Sequence, residues 1–306
     1  MLYATKLRLN DGRLTKETVV ADKKIKLSWA LGGEGAQSGY SVSVLRCGKS
    51  IYESGWISSA EQSCELVVPS LRSGYEYELT LSLRDENGIE SSSKDNFFRV
   101  ALLEDWDAPW IRPACDMGDA VIYFCRDFEL EGKKIENAVL YLCGIGYHSA
   151  SLNGQAISDH RLAPSISDYN KRCYYETLDV SDLLREGKNR LGVCVAQGWR
   201  RNLGDYLKHT KDHNASFFGT PQLTAILSLC FEDGTEMRIV TDNAWRCGGG
   251  RTVSSHLFDG EVYDARISDM PQGACVKCEK PSADTLLCPD LLEPIRIKKT
   301  FTPISV

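Results

Sequence analysis

Residues 75–88 have the sequence YEYELTLSLRDENG, in which Tyr and Leu alternate with polar residues up to an Asn-Gly pair. This period of two is typical of a strand with one buried face, because successive side chains point to opposite faces of a sheet. Asn-Gly favours a type I′ turn, since both central residues of that turn need a positive φ. The segment therefore predicts the first half of an antiparallel hairpin.

The same pattern recurs along the chain. Residues 40–45 (YSVSVL) alternate, and Asn153-Gly154 and Asp233-Gly234 each separate two strand-like runs, which predicts further type I′ hairpins. The one short helical pattern is DVSDLLREG at residues 179–187. We therefore predict an all-β fold: a fibronectin-III/immunoglobulin-like sandwich followed by a jelly-roll β-sandwich.

A boundary between two domains is visible at residues 104–113, EDWDAPWIRP, where Trp, Pro and acidic residues interrupt the strand pattern. Residues 1–107 have the size and rhythm of a fibronectin-III-like β-sandwich. Residues 108–290 form a larger block that suits a jelly roll. Residues 291–306, LLEPIRIKKTFTPISV, begin a new strand-like segment and predict the start of a further β domain.

Composition and charge exclude several classes of protein. The 306 residues carry a net charge of −6, with 13 basic and 16 acidic residues in 1–107 and 23 and 26 in 108–306. Neither block has the basic surplus that a phosphate backbone needs, so we expect no nucleic-acid partner. No apolar run is long enough to span a membrane, and the first residues lack the apolar core of a secretory signal. These features predict a cytoplasmic protein with no membrane partner.

Twelve cysteines are distributed along the chain, most of them inside apolar segments such as VIYFCRDF and VLYLCG. Buried reduced cysteine behaves as a small hydrophobic residue, so we predict free thiols. Two alternatives are a disulfide framework and a zinc site at Cys275-Val-Lys-Cys278. A structural zinc site needs four Cys or His ligands, and no second pair lies nearby in the sequence.

Several motifs, in this order, carry a resemblance to a known family. They are SGWISS at 54–59, RDENG at 84–88, YFCRDF at 123–128, LNG at 152–154, LAP at 162–164, GW at 198–199, TDNAW at 241–245 and DGEVYDAR at 259–266. The chain resembles the N-terminal region of bacterial α-L-rhamnosidases of glycoside hydrolase family 78. The resemblance implies a fibronectin-III-like module and an N-terminal β-sandwich. It also implies that catalysis belongs to an (α/α)₆ barrel. Such a barrel needs long amphipathic helices, and these residues carry no pattern that predicts them.

Two polar clusters have the residue types that bind sugars. Sugar sites combine an aromatic ring against a pyranose face with planar polar groups that hydrogen-bond adjacent hydroxyls. QGWRRN at 197–202 and SDYNKR at 167–172 supply both. The predicted carbohydrate-binding residues are Asp168, Tyr169, Arg172, Trp199, Arg200 and Asn202. The alternative is that Trp199 and Tyr169 pack the sandwich and that Arg172 pairs with a local acid.

The resemblance further implies that calcium accompanies rhamnose in some members of the family. Calcium needs hard oxygen ligands. The predicted metal ligands here are Asn153, Asp159 and Asp205, and Asp168 and Asn202 carry the same ligand type. No compact calcium loop is present, so such a site would be assembled from several loops.

These observations predict an accessory region rather than a catalytic domain. In this hypothesis the chain binds or positions rhamnose-containing glycans for a C-terminal catalytic domain of the same polypeptide. The alternative is a β-sandwich scaffold that braces the catalytic barrel and has no ligand of its own. Glycoside hydrolysis needs two opposed carboxyl groups, and no local motif singles out such a pair, so we predict no catalytic residues.

Overall fold

A computed structural model describes residues 1–200 and 219–302. The chain divides into two compact units. The first contains Met1–Asp105 together with Leu291–Glu293, and the second contains Trp106–Asp290 and the segment from Pro294 onward.

The first unit is built from two sheets. Its strands are β1 (Tyr3–Leu9), β2 (Gly12–Arg13), β3 (Val19–Val20), β4 (Lys24–Gly32), β5 (Gln37–Arg46), β6 (Lys49–Glu53), β7 (Ser63–Val67), β8 (Glu76–Asp85) and β9 (Glu90–Val100). One sheet has the order β2-β1-β4-β7 and the other β3-β9-β8-β5-β6. All pairs are antiparallel except β3 with β9.

The alternation that predicted β8 explains the core of this unit. Tyr77, Leu79, Leu81 and Leu83 are all buried, while the residues between them are half-buried. Burial of one strand face against the second sheet removes apolar surface from water, which is the main stabilising contribution to a sandwich.

The described part of the second unit has fourteen strands. They are β10 (Trp110–Pro113), β11 (Ile122–Leu130), β12 (Ile135–Ile145), β13 (Tyr147–Leu152), β14 (Gln155–Ala156), β15 (Arg172–Asp179), β16 (Gly187–Ala196), β17 (Gln222–Phe231), β18 (Glu236–Val240), β19 (Arg246–Gly248), β20 (Thr252–His256), β21 (Gly260–Tyr263), β22 (Gly273–Cys278) and β23 (Leu286–Pro289). Two three-residue 3₁₀ turns lie at Ser181–Leu183 and Gly198–Arg200.

Most of these strands join one hydrogen-bonded path, β14-β13-β16-β11-β19-β22-β10-β17-β12-β15-β23, with β18 beside β17. The path folds over a single core, in which Phe124 of β11 and Val193 of β16 share a cluster with Leu140 of β12 and Leu227 of β17. Strands β20 and β21 form a separate hairpin. The prediction of an all-β fold is confirmed.

Two local predictions need correction. Only Asn153-Gly154 has a positive φ at both positions; at 87–88 and 233–234 the glycine alone does, so these turns are not type I′. The helical pattern at residues 179–187 yields only the 3₁₀ turn Ser181–Leu183, because Gly187 already begins β16.

All twelve cysteines lie within the described residues and carry free thiols, and six of them are buried. In the described part of the chain, no helix has the length and apolar character to cross a membrane.

Candidate functional site

A buried carboxylate in the second unit is surrounded by polar side chains from several elements. Glu176 on β15 is 8% exposed. Its Oε2 is 2.6 Å from Nε2 of His148 on β13. Its Oε1 is 2.5 Å from Nδ1 of His160, which lies in the loop between β14 and β15. Strand β13 pairs with β16 and β15 pairs with β12, so the two contacting strands belong to different stretches of the sheet path.

Each histidine is oriented by a hydrogen bond at its other ring nitrogen. The backbone N–H of Gly144 donates to Nδ1 of His148 at 3.0 Å. The guanidinium of Arg296 donates to Nε2 of His160 at 2.9 Å, because arginine carries only donors. Both acceptor nitrogens must therefore lack a proton. His148 is a neutral Nε2–H tautomer, His160 is a neutral Nδ1–H tautomer, and both donate to an ionised Glu176.

The charge of Glu176 is stabilised by these contacts. Burial alone would raise the pKa of the carboxyl, but the hydrogen bonds from His148 and His160 outweigh it and lower the pKa to about 2. A Cβ at Gly144 would lie 3.0 Å from Nδ1 of His148, so a larger residue there would press on the imidazole ring.

The cluster continues to the segment after β23. Nε of Arg296 contacts Oδ1 of Asp159 at 2.6 Å, and the backbone N–H of Arg161 donates to the carbonyl of Ile295 at 2.8 Å. We define His148, Asp159, His160, Glu176 and Arg296 as the Glu176 cluster.

Two predicted sugar-binding residues lie inside the fold. Tyr169 is 4% and Arg200 is 5% exposed. Burial raises the pKa of the Tyr169 phenol, and the positive charge of Arg200 opposes that shift. Burial lowers the pKa of Arg200, which Tyr169 partly offsets. The structure thus brings these two residues together, but it encloses them rather than presenting them to a ligand.

Trp199 occupies a different environment. Its ring is half-buried and packs edge-to-face against Phe258, with 6.2 Å between the ring centroids. Phe258, in the turn of the β20–β21 hairpin, is 54% exposed. Nδ1 of His256 accepts backbone hydrogen bonds from Phe258 and Asp259 and lies 3.0 Å from Oδ2 of Asp259. We call Trp199 and Phe258 the aromatic pair.

Of the remaining predicted sugar-binding residues, the structure describes Asp168 and Arg172, and the backbone N–H of Arg172 donates to the carbonyl of Asp168 at 2.9 Å. Asp168 is exposed, and its side chain accepts from the N–H of Asn170 and contacts Lys171. Arg172 is exposed and contacts the hydroxyl of Tyr174 at 3.5 Å. Asn202 lies outside the described residues.

Two of the three predicted calcium ligands lie in the described part of the chain, and both have protein partners. Oδ1 of Asn153 accepts the N–H of Arg190, and its amide nitrogen donates to Leu183 and Asn189. Asp159 is paired with Arg296. Asp205 lies outside the described residues. Among residues 1–200 and 219–302, no three His, Cys, Asp or Glu side chains are grouped so that they could hold a metal ion.

Sequence reasoning missed the Glu176 cluster. Glu176 lies in a strand-like run, CYYETL. The alternation in this run does not decide whether Glu176 faces the core or the solvent. A glutamate within an apolar strand is a usable signal, because an unpaired buried carboxylate is costly and needs partners from elsewhere in the fold.

Two models of known protein families match this chain. Residues 133–275 match the model of the "Alpha-L-rhamnosidase N-terminal domain", and residues 5–104 match that of the "Rha78A-like, N-terminal immunoglobulin domain". The chain belongs to the N-terminal region of the α-L-rhamnosidase family. It is 27% identical over 277 residues to an α-L-rhamnosidase of Formosa agariphila, covering 78% of this chain and 29% of that protein. It is 38% identical over 163 residues to one of Streptomyces avermitilis, covering 53% of this chain and 15% of that protein.

Solved structures agree with this assignment. The α-L-rhamnosidase from Dictyoglumus thermophilum superposes with a TM-score of 0.81 at 25% identity, covering 99% of this chain and 37% of that one. The Streptomyces avermitilis α-L-rhamnosidase complexed with L-rhamnose also has a TM-score of 0.81, at 18% identity, and covers 98% of this chain and 47% of that one. At 18% identity, the likeness to the Streptomyces avermitilis structure shows the fold alone.

The chain spans less than a third of the length of these curated relatives. In its described residues the only helical elements are the two 3₁₀ turns, so no catalytic (α/α)₆ barrel is present there.

Proposed function

We propose that this chain is an accessory region of an α-L-rhamnosidase that binds or positions rhamnose-containing glycans for a catalytic domain. The observation that supports the proposal is the aromatic pair. Phe258 is exposed beside a half-buried Trp199, and the polar side chains of His256 and Asp259 lie next to them. Exposed aromatic faces beside groups that hydrogen-bond hydroxyls are the chemistry that recognises a pyranose.

This arrangement narrows the predicted site. Trp199 stays a ligand-contacting residue in the proposal, whereas Tyr169 and Arg200 become residues that support it from inside the fold. Calcium has no part in the proposal, because Asn153 and Asp159 are committed to protein partners.

A titration of L-rhamnose into the ¹⁵N-labelled chain tests the proposal, run once with calcium and once with EDTA. We expect saturable shifts for Trp199 and residues 256–259 in both conditions. Trp199→Ala abolishes the shifts, and the matched variant Trp56→Ala, which removes the exposed indole of the first unit, leaves them unchanged. Shifts that persist in Trp199→Ala, or no shifts at all, would overturn the proposal.

The scaffold alternative also has an observation in its favour. Exposed apolar side chains cover the β20–β21 hairpin, where Val262 and Tyr263 are 58% and 56% exposed. An apolar surface of this kind is typical of a protein–protein contact. A flat rhamnose titration would leave this hairpin as the surface against which a catalytic domain packs.

A further inference from the structure

The segment that follows Pro294 exposes its large apolar side chains. Ile295, Ile297 and Phe301 are 57%, 63% and 77% exposed. Polar contacts join it to the β-sandwich, among them the Arg161–Ile295 backbone bond and the side-chain contacts of Arg296 to Asp159 and His160. Arg296 supplies two of these polar contacts, so it contributes to the position of the segment.

The contact between Arg296 and His160 exists in only one protonation state. Nε2 of His160 accepts a hydrogen bond from the guanidinium, so it must be unprotonated. A proton on Nε2 would replace the acceptor with a donor and would place two cations 2.9 Å apart. Binding of Arg296 lowers the proton affinity of His160. By linkage, protonation of His160 weakens the binding of Arg296 by the same factor.

We propose that His160 is a protonation-sensitive latch for the segment that begins at Pro294. Neutral His160 holds Arg296 and the segment against the β-sandwich, and the imidazolium releases them. The latch is a property of the fold and does not depend on glycan binding.

The charged groups around His160 set the direction of the response. Glu176 from β15 and Asp159 from the same loop both favour the imidazolium, and Arg296 opposes it. Arg161 is adjacent in the loop, and His148 of β13 lies on the far side of Glu176. The hydrogen bond from Arg296 keeps the pKa of Asp159 below its usual value, and the pKa of Glu176 is about 2. Both carboxylates therefore stay ionised in mild acid, where only histidine changes charge.

The test is ¹⁵N relaxation of the chain at about pH 7.5 and about pH 5.5, on either side of the range in which histidine titrates. At the higher pH we expect backbone order parameters of about 0.85 for residues 295–298, and at the lower pH values below about 0.6. Strand β12 serves as an internal reference and stays rigid at both. Unchanged order parameters in the segment would overturn the proposal.

Two variants assign the response to His160. His160→Gln keeps a donor and an acceptor but cannot titrate, so we expect its segment to be equally ordered at both pH values. The matched variant His256→Gln removes a histidine of the β20–β21 hairpin and keeps the wild-type response. A wild-type response in His160→Gln would contradict the latch.

A measurement on the wild-type protein keeps the test independent of how the variants fold. Long-range ¹H–¹⁵N correlations of imidazole rings distinguish the two neutral tautomers. We expect His160 to be protonated on Nδ1 at about pH 7.5 and on both nitrogens at about pH 5.5. An Nε2–H tautomer at the higher pH would show that Arg296 does not bind there, and the latch would be wrong.

Discussion

Glu176 shows how one buried residue fixes the state of several others. A carboxylate with two oxygens can accept from two rings, and each ring then has one nitrogen left as an acceptor. Gly144 fills the acceptor of His148, and Arg296 fills that of His160. Because every partner is specified, a change at Glu176 propagates to β12, β13 and the segment after Pro294.

Glu176→Gln should destabilise the protein by about 1–3 kcal/mol, since an amide NH₂ would then face one of two ring N–H donors. That ring must change tautomer and lose either Gly144 or Arg296. Urea unfolding at neutral pH measures the loss. Glu261→Gln on the exposed β21 strand is the matched control and should change the free energy of unfolding by less than about 0.5 kcal/mol. Equal stability of the two variants would show that the cluster contributes nothing.

The depressed pKa of Glu176 also predicts a dependence on acid. The folded-state pKa of about 2 lies below the ordinary value of 4.5, so the unfolded chain takes up the proton first. The stabilisation is therefore present above pH 4.5 and is lost as the pH falls towards 2. Urea unfolding of wild type and Glu176→Gln across this range should show their difference shrinking. A constant difference would contradict the ionised state of Glu176.

At the scale of an element, the β13–β14 hairpin depends on a single asparagine. Asn153 has a φ of +55°, which asparagine tolerates better than most residues. Its side chain bridges the turn to Leu183, Asn189 and Arg190. One amide group thus joins the turn to two other parts of the second unit, the 3₁₀ turn at Ser181–Leu183 and strand β16.

Asn153→Ala should cost about 2–3 kcal/mol, because it introduces a strained positive φ and removes three hydrogen bonds. Asn153→Gly relieves the strain and loses only the hydrogen bonds, so it should be less destabilising. Thermal or urea unfolding of both variants separates the two contributions. If Asn153→Gly were as destabilised as Asn153→Ala, backbone strain would not contribute.

Local patterns predicted these elements because their causes are local. Alternation in residues 75–83 and the Asn153-Gly154 pair each act within a few residues, and both appear in the structure as expected. The Glu176 cluster joins β13, a loop, β15 and a segment 120 residues later, so nothing in a short window reveals it. In the loops no period exists to separate surface from core, which is why the sequence leaves Tyr169 open between sugar binding and packing of the sandwich.

At the scale of the whole molecule, the twelve thiols differ in how deeply they are buried within the β-domains. Cys47 and Cys115 are exposed, four thiols are half-buried and six are buried in the described fold. Burial also raises the pKa of Cys64 and Cys278 to about 11 and that of Cys194 to about 12, so few of these groups are reactive thiolates near neutral pH.

A disulfide-exchange reagent at about pH 8 should therefore react rapidly with two thiols in the native protein, because only exposed thiolates are good nucleophiles. The half-buried thiols should follow slowly, and all twelve should react once the chain is unfolded in denaturant without reductant. Replacing both Cys47 and Cys115 by serine should remove the rapid phase and leave the slow one. A total below twelve would show that some cysteines are paired, and a rapid phase of more than two would show that the sandwiches open far more readily than their buried cores imply.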